Sequence, residues 1–303
     1  MTKQAVVLYH ANCTDGFGAA WAFSKVAAPS YSNVQYLPVT YNQPIPAEAF
    51  PWSGAPEDLY ILDFSYPMPE LEMLASSYNT VTILDHHIGA KEILEEAGQL
   101  PNVTAIFDNN KSGAGLTWDY LALDGEPRPL LINYIEDRDL WKFELPASKA
   151  VNAVIQTTKH EFLSFSILSN HLETSFGTIL VAGEFLLKQE DKYVQSICAL
   201  ARKIQIADYE VPFVECPGML ASVVGNQLAG SSDFSVTYHT FPDGSIKFSL
   251  RAGKDCPLSM ADLAKLWGGG GHHKAAGFSL SRENLDYLED LNRPTAYLHV
   301  PEF

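Results

Sequence analysis

Cysteine is scarce in this sequence. The four present, Cys13, Cys198, Cys216 and Cys256, are scattered over 303 residues. They form no CxxC pair, which excludes a disulfide scaffold and a thiolate zinc framework. Basic side chains are also few, with 20 Lys and Arg against 36 Asp and Glu and a formal net charge of −16. Long duplex DNA or RNA is excluded as a partner, because affinity for it comes from cations that neutralise phosphates. No apolar run approaches the ~20 residues of a membrane helix. Met1–Ala11 lacks the basic-then-apolar pattern of a secretory leader, so a cytoplasmic protein without membrane attachment is expected. Repeats, low-complexity tracts, a P-loop and a Ser-His-Asp arrangement are all missing. The 12% aromatic content, by contrast, is too high for a disordered polymer.

What is present is organised as strands alternating with helices. Ala5–Tyr9, Leu59–Leu62, Thr80–Leu84 and Val103–Phe107 are short apolar runs, suited to strands buried on both faces of a parallel sheet. Helical patterns lie between them over Gly16–Val26, Met68–Tyr78, Ala90–Ala97 and Gly113–Leu123. The alternation predicts βαβ units in an open α/β sheet. A long apolar stripe over Thr178–Ile204 predicts a connecting helix. Beyond it, Phe234–Phe241 and Ser245–Arg251 flank the turn Pro242-Asp-Gly244 and predict a hairpin. A short helix over Leu258–Trp267, a strand over Ala276–Leu280 and a terminal helix over Glu283–Leu291 complete the expected α+β unit. The organisation read from this pattern is an α/β domain over 1–150, a helical connector over 151–205 and a smaller α+β domain over 206–303.

Acid is concentrated in the first half, where residues 1–150 hold 19 acidic against 8 basic side chains. Several of these acids follow strands. The first strand runs into His10, with Asp15 shortly after; the second into Asp63; the third into Asp85-His86-His87. In a parallel sheet such positions share the carboxyl edge, where open α/β folds bind ligands. Singly, each is a polar residue ending a strand. Together they are carboxylates and imidazoles brought to one place, a donor set for Mn²⁺ or a similar ion rather than structural zinc.

At this point the chain resembles the DHH/DHHA1 phosphoesterases. Asp85-His86-His87 matches the triplet that names the family. Its other motifs follow in order: His10-Ala-Asn-Cys-Thr-Asp15-Gly16, Leu62-Asp63, Ile135-Glu-Asp137-Arg-Asp139, and Gly268-Gly-Gly-Gly-His272-His-Lys-Ala-Ala-Gly277, preceded by Ser249-Leu-Arg251. The matches span residues 10 to 280. The resemblance implies a DHH metal-binding domain followed by a DHHA1 substrate-binding domain. It also implies that His10, Asp15, Asp63, His86 and Asp137 ligate two divalent ions, Mn²⁺ or alternatively Mg²⁺ or another ion, with Asp139 as the other candidate in that motif. Asp63 would bridge the ions, Asp85 would orient imidazole, and His87 would meet the phosphoryl oxygen. Arg251, Gly269, Gly270, Gly271 and His272 would grip the rest of the substrate. The sequence departs from the family at Cys13-Thr14, where members usually carry a second acid before Asp15. Thiol is a poor partner for Mn²⁺ or Mg²⁺, so either the first metal site is weaker, filled by a different ion or bound through water, or Cys13 is an inert, small, half-buried residue.

Two divalent ions lower the pKa of a bridging water and clamp the oxygens of an in-line displacement at phosphorus. The resemblance therefore implies a phosphodiesterase hydrolysing short oligonucleotides or cyclic nucleotides to mononucleotides. The layout is nearer the nano-RNase and cyclic-nucleotide branch than the longer exonucleases. A pyrophosphatase or polyphosphatase with the same metal chemistry is the alternative, along with a non-catalytic nucleotide-binding protein. A small phosphodiester as partner agrees with the shortage of basic side chains.

Overall fold

The computed structural model describes residues 3–281 except 42, 51–56, 124–125 and 207, together with 288–289 and 295–298. The chain divides into two compact units, Met1–Leu187 and Lys188–Phe303.

The first unit is built on five parallel strands, β1 (Gln4–His10), β2 (Asn33–Val39), β3 (Glu57–Leu62), β4 (Thr80–Asp85) and β5 (Val103–Phe107). Their order is β2-β1-β3-β4-β5, all pairs parallel. Alternate residues face opposite sides of a strand, so the apolar runs feed two separate cores. Val7, Leu62 and Leu84 pack into one, with helices α1 (Thr14–Val26), α4 (Gly113–Leu121), α5 (Leu130–Asp139), α6 (Ser148–Thr157) and α7 (Phe162–Thr174). Val6, Leu8, Leu59, Ile61, Val81 and Ile83 pack into the other, with α2 (Met68–Ser77) and α3 (Lys91–Ala97). Val151, Ile155, Phe165, Leu168 and Leu172, read from sequence as connector, are buried in the first of these cores. The four strands expected from the apolar runs are present. β2 is an addition: Pro38 weakens its signal, and the same residue explains its place at the sheet edge, since proline cannot donate to a further strand.

Helix α8 (Phe176–Cys198) follows. The expected helix ran on to Ile204, but Ala199 to Ala201 close α8 and Ile204 lies in strand β6 (Arg202–Ile206). The second unit adds β7 (Tyr209–Glu215), α9 (Ala221–Ala229), β8 (Phe234–Thr240), β9 (Ile246–Ala252), α10 (Met260–Lys265), β10 (Gly270–His272), β11 (Ala275–Leu280), β12 (Leu288–Glu289) and β13 (Thr295–Leu298). The sheet order is β10-β11-β9-β8-β7-β6-β13-β12. β8 and β9 form the expected antiparallel hairpin around Pro242-Asp-Gly244. The terminal helix expected over Glu283–Leu291 lies mostly outside the described residues, and Leu288–Glu289 within it are a strand. No described helix is long and apolar enough to cross a membrane.

Candidate metal centre

Every ionisable group that follows a strand of the parallel sheet arrives at its carboxyl edge. His10 is the last residue of β1, Asp63 the first after β3, and Asp85 the last of β4. Asp63 adopts a left-handed φ of 56° while its N–H donates to Leu84 O at 2.9 Å. Non-glycine residues in this region are strained, and such strain concentrates at functional sites. Gly113, at the start of α4, stands directly against Asp63: a Cβ there would lie 2.4 Å from Asp63 Cβ. Only glycine lets the helix end approach so closely.

That helix end meets Asp15. The Asp15 carboxylate accepts from Gly113 N at 2.5 Å and from Ala114 N at 2.9 Å, using N–H groups that have no partner within α4. Asp15 is nonetheless pushed well above the usual carboxylate range. Burial is the main cause, followed by the charges of Asp63 and Asp139, and His86 offsets only part.

His86 is the hub. Its Nε2 lies 3.2 Å from Asp63 Oδ1, 3.6 Å from Asp139 Oδ2 and 3.7 Å from Asp15 Oδ2. Burial alone would lower its pKa, but Asp63, Asp15 and Asp139 win and raise it to about 10. His10 Nδ1 stands 3.4 Å from Asp63 Oδ2. Burial pulls Asp63 upward, yet the His10 and His86 imidazoles, with the charges of His87 and His86, hold it below the usual range. These contacts are within ion-pair reach but not aligned as hydrogen bonds: both Asp63 oxygens and His10 Nδ1 are buried without a hydrogen-bond partner.

Asp85 has a different task. Its Oδ1 accepts from His86 N (2.7 Å), His87 N (3.1 Å) and His87 Nδ1 (2.7 Å), fixing the His87 ring with its other nitrogen, Nε2, away from Asp85. Burial opposes protonation of His87, but Asp85 and Asp63 raise its pKa overall. Cys13, at the N-cap of α1, is the last neighbour. Burial, then Asp63, Asp15 and Asp139, push its thiol well above the ordinary range.

Three trios of donors result, His10 with Cys13 and Asp63, Asp63 with His86 and His87, and Asp15 with His86 and Asp139. In each trio the donor atoms lie within 4.8 Å of one another. Of the two candidates in Asp137-Arg-Asp139, it is Asp139 that reaches this cluster. On a helix the two are about 200° apart, so they cannot face the same way. The Asp137 carboxylate instead accepts from Glu144 N (2.9 Å) and Leu145 N (3.4 Å) and closes the turn after α5. The donor set fits divalent cations. Buried carboxylate oxygens without donors are costly, and three carboxylates among three imidazoles gather negative charge that a cation would neutralise.

In the second unit, Arg251 ends in a pocket of neutral partners. Nη2 donates to Ser222 Oγ at 2.7 Å and Nη1 to Leu250 O at 2.8 Å. Burial lowers its pKa, and among the described residues no carboxylate pairs with it. The glycine run is folded as the end of α10 and edge strand β10, paired with β11. Gly269 N donates to Ala264 O at 3.0 Å, so this N–H is not free for an anion. Gly271 has a φ of 144°, and Gly270 and His272 are exposed. One feature escaped the sequence reading altogether. Tyr41, in the loop after β2, sets its ring 5.4 Å from His10 and 6.1 Å from His87. A lone aromatic in an irregular segment carries no signal.

No protein-family model matches the chain. An uncharacterised protein of Acanthamoeba polyphaga mimivirus is 28% identical over 293 residues, covering 91% of this chain and 67% of that protein. Oligoribonuclease NrnB of Bacillus subtilis (strain 168) is 25% identical over 322 residues, covering 97% of this chain and 79% of that protein. Among solved structures, the pGpG-specific phosphodiesterase PggH from Vibrio cholerae superposes with a TM-score of 0.50 at 15% identity, covering 94% of this chain and 95% of that one. A parallel α/β unit with carboxylates and imidazoles gathered at its carboxyl edge, followed by a second sheet-based unit, is a fold similar to that of this phosphodiesterase.

Proposed function

We propose that this chain hydrolyses short oligonucleotides or small cyclic nucleotides to mononucleotides, using Mn²⁺ or a related divalent ion. The observation that carries the proposal is Asp63, fully buried with neither oxygen hydrogen-bonded, facing His10 on one side and His86 on the other. The oligoribonuclease that aligns over 97% of the chain supports the choice of substrate. His10, Asp15, Asp63, His86 and Asp139 would hold the ions, with Asp139 in place of Asp137. When bound, divalent ions supply Lewis acidity and a water of lowered pKa for attack on phosphorus.

The protein's own side chains account for the rest. Without a cation, the carboxylates keep a proton on His86; the ion would take the place of that proton. Asp85 holds His87 through Nδ1, and Asp85 and Asp63 shift its pKa upward, which favours the imidazolium form in which the other nitrogen also carries a proton. His87 is thereby an oriented donor for a phosphoryl oxygen, a role that strengthens as negative charge develops there. Asp15, fastened to two N–H groups of α4, fixes the helix end against Asp63. Arg251, half-buried and lacking a carboxylate, is the group for a terminal phosphate. Arg251→Ala is expected to raise KM with little change in kcat, and an unchanged KM would remove it from the substrate site.

The test is incubation with Mn²⁺ and, in parallel, a 5′-labelled RNA dinucleotide, a cyclic mononucleotide, a cyclic dinucleotide and pyrophosphate. Mononucleotide release from the RNA or from a cyclic substrate is expected. Phosphate from pyrophosphate alone would make the chain a pyrophosphatase. No turnover of any substrate would leave a binding protein.

A further inference from the structure

The proposed reaction gives Cys13 no part, although it belongs to one of the three donor trios. Its Sγ, a His10 ring nitrogen and an Asp63 carboxylate oxygen all lie within 4.8 Å of one another. A cysteine alone would mean little. The independent observation is the pair it faces: Asp63 is fully buried with both oxygens lacking a hydrogen bond, and His10 Nδ1 lacks one too. Buried polar atoms of this kind need a partner, and the group that satisfies a carboxylate and an imidazole nitrogen together is a cation. The backbone holds the sulfur in place. Ala11 N donates to Val39 O at 2.8 Å, and Asn12 takes a left-handed φ of 54°. The chain therefore turns sharply after β1 and delivers Cys13 beside His10.

We propose that Cys13 Sγ is a metal ligand in this chain. With His10 and Asp63 it completes a sulfur, nitrogen and oxygen site that selects a borderline ion of the Zn²⁺ or Co²⁺ type over Mn²⁺ or Mg²⁺ at that position. The inference rests on the metal-centre reading above and deepens it. Thiolate favours softer ions, whereas carboxylates suit Mn²⁺ and Mg²⁺. Three protein ligands with an open position is also the pattern of zinc sites that do chemistry. The other two trios, Asp63 with His86 and His87 and Asp15 with His86 and Asp139, have no sulfur. The centre is thus asymmetric, with a hard position and a softer one, where an acid in place of Cys13 would make both hard. Coordination requires the thiolate, so the thiol proton passes to solvent as the ion binds.

The experiment uses the metal-free full-length chain titrated with Co²⁺ and followed by absorption. The wild type is expected to develop a thiolate-to-Co²⁺ charge-transfer band in the near ultraviolet that Zn²⁺ abolishes. Cys13→Ser should lack the band, and Cys256→Ser should keep it. Calorimetry should show Zn²⁺ affinity falling about tenfold or more in Cys13→Ser, with Mn²⁺ uptake unchanged. Cys13→Asp should lack the band and bind Mn²⁺ more tightly than the wild type. Retained Mn²⁺ uptake reports that a variant is folded, and the wild-type spectrum carries the test even if one is not. Co²⁺ binding to wild type without the band, or a band that survives in Cys13→Ser, overturns the inference while leaving the proposed function intact. If wild type takes up neither Co²⁺ nor Mn²⁺, both fall.

Discussion

Strand β3 carries a buried aspartate at each end, and the two live in opposite circumstances. At the amino end, Asp58 accepts hydrogen bonds from the Tyr31 hydroxyl (2.7 Å) and the Thr80 hydroxyl (2.8 Å) and pairs with Lys3 Nζ at 2.5 Å. The Tyr31 hydroxyl is itself 2.9 Å from that of Tyr60. Just past the carboxyl end, Asp63 has a left-handed backbone, a carboxylate with no aligned hydrogen bond, and the charges of Asp15 and Asp139 nearby. Burial raises the pKa of both, and surrounding donors more than reverse this in both. The donors differ in kind. Hydroxyls and an ammonium at Asp58 form a finished network. The imidazoles at Asp63 are themselves metal-type ligands, whose place beside the carboxylate a cation would share. One edge of the sheet is arranged to be stable in itself, and the other is left incomplete in a way that favours a ligand.

The largest expected effect follows from Asp63. Asp63→Asn preserves shape but removes the charge at the middle of the donor cluster, and kcat should fall by about a thousandfold or more, the scale of losing a central electrostatic group. In metal-free protein the melting temperature should fall, because the variant loses the attraction of His10, His86 and His87 that holds Asp63 below its ordinary pKa. Activity assays and thermal unfolding in chelator check both halves. Substantial activity in Asp63→Asn would contradict the assignment of the centre. The counterpart is Asp58→Ala, which leaves Tyr31, Thr80 and Lys3 without their acceptor. It should cost about 2–3 kcal/mol of stability, the range for breaking a buried network. Its kcat, measured where the variant is folded, should be near that of the wild type. Loss of activity without loss of stability would break the comparison.

Much of the incomplete edge was legible from sequence, because an apolar run followed by Asp or His states both the strand and the address of the polar residue. His10, Asp63 and Asp85-His86-His87 were found in this way. Asp139 was not separable from Asp137, since the choice depends on how α5 is rotated about its axis, which its packing against α4 and α6 decides. β2 was hidden by Asn33, Gln35 and Pro38, residues that an edge strand tolerates and an interior strand does not. Ile204 fitted a helical stripe and sits in a strand, because short apolar patterns serve either structure until their partners are known. The Asp58 network was also unreadable: Lys3, Tyr31, Asp58 and Thr80 lie on separate segments and meet only through the strand order β1-β3-β4 and the turn after α1.

A smaller effect distinguishes carboxylates that hold from those that react. Asp85 sits at the incomplete edge but behaves like Asp58, with its Oδ1 bonded to two backbone N–H groups and to His87 Nδ1. Asp85→Asn keeps a carbonyl oxygen for these donors and removes the charge that favours the imidazolium of His87. A loss of about 10- to 100-fold in kcat is expected, typical of removing a group that orients a functional histidine. Stability should stay within about 1 kcal/mol of wild type. The acid titration of His87, followed by NMR, should shift to lower pH. A variant with normal kcat, or with His87 titrating unchanged, would place Asp85 among purely structural groups.

The last difference is in acid. The folded-state pKa of Asp58 lies below its ordinary value, with burial opposing and Lys3, Tyr31 and Thr80 prevailing. The unfolded chain takes up a proton near pH 3.9 while folded Asp58 does not. Its stabilisation is therefore complete above that pH and drains away as pH falls through the lower, folded value. One group can contribute a slope of at most about 1.4 kcal/mol per pH unit in that window. Urea unfolding of the metal-free protein between pH 3 and 6 should show stability falling on the acid side for the wild type and falling less steeply for Asp58→Asn. Other depressed carboxylates, such as Asp119 beside Arg128 and Lys111, contribute equally to both proteins, so the difference between the curves belongs to Asp58. That difference should vanish below the folded pKa, where both residues are neutral in either state apart from the substituted atom itself. Parallel curves over the whole range would mean that the amino edge owes its stability to packing rather than to the Asp58 charge.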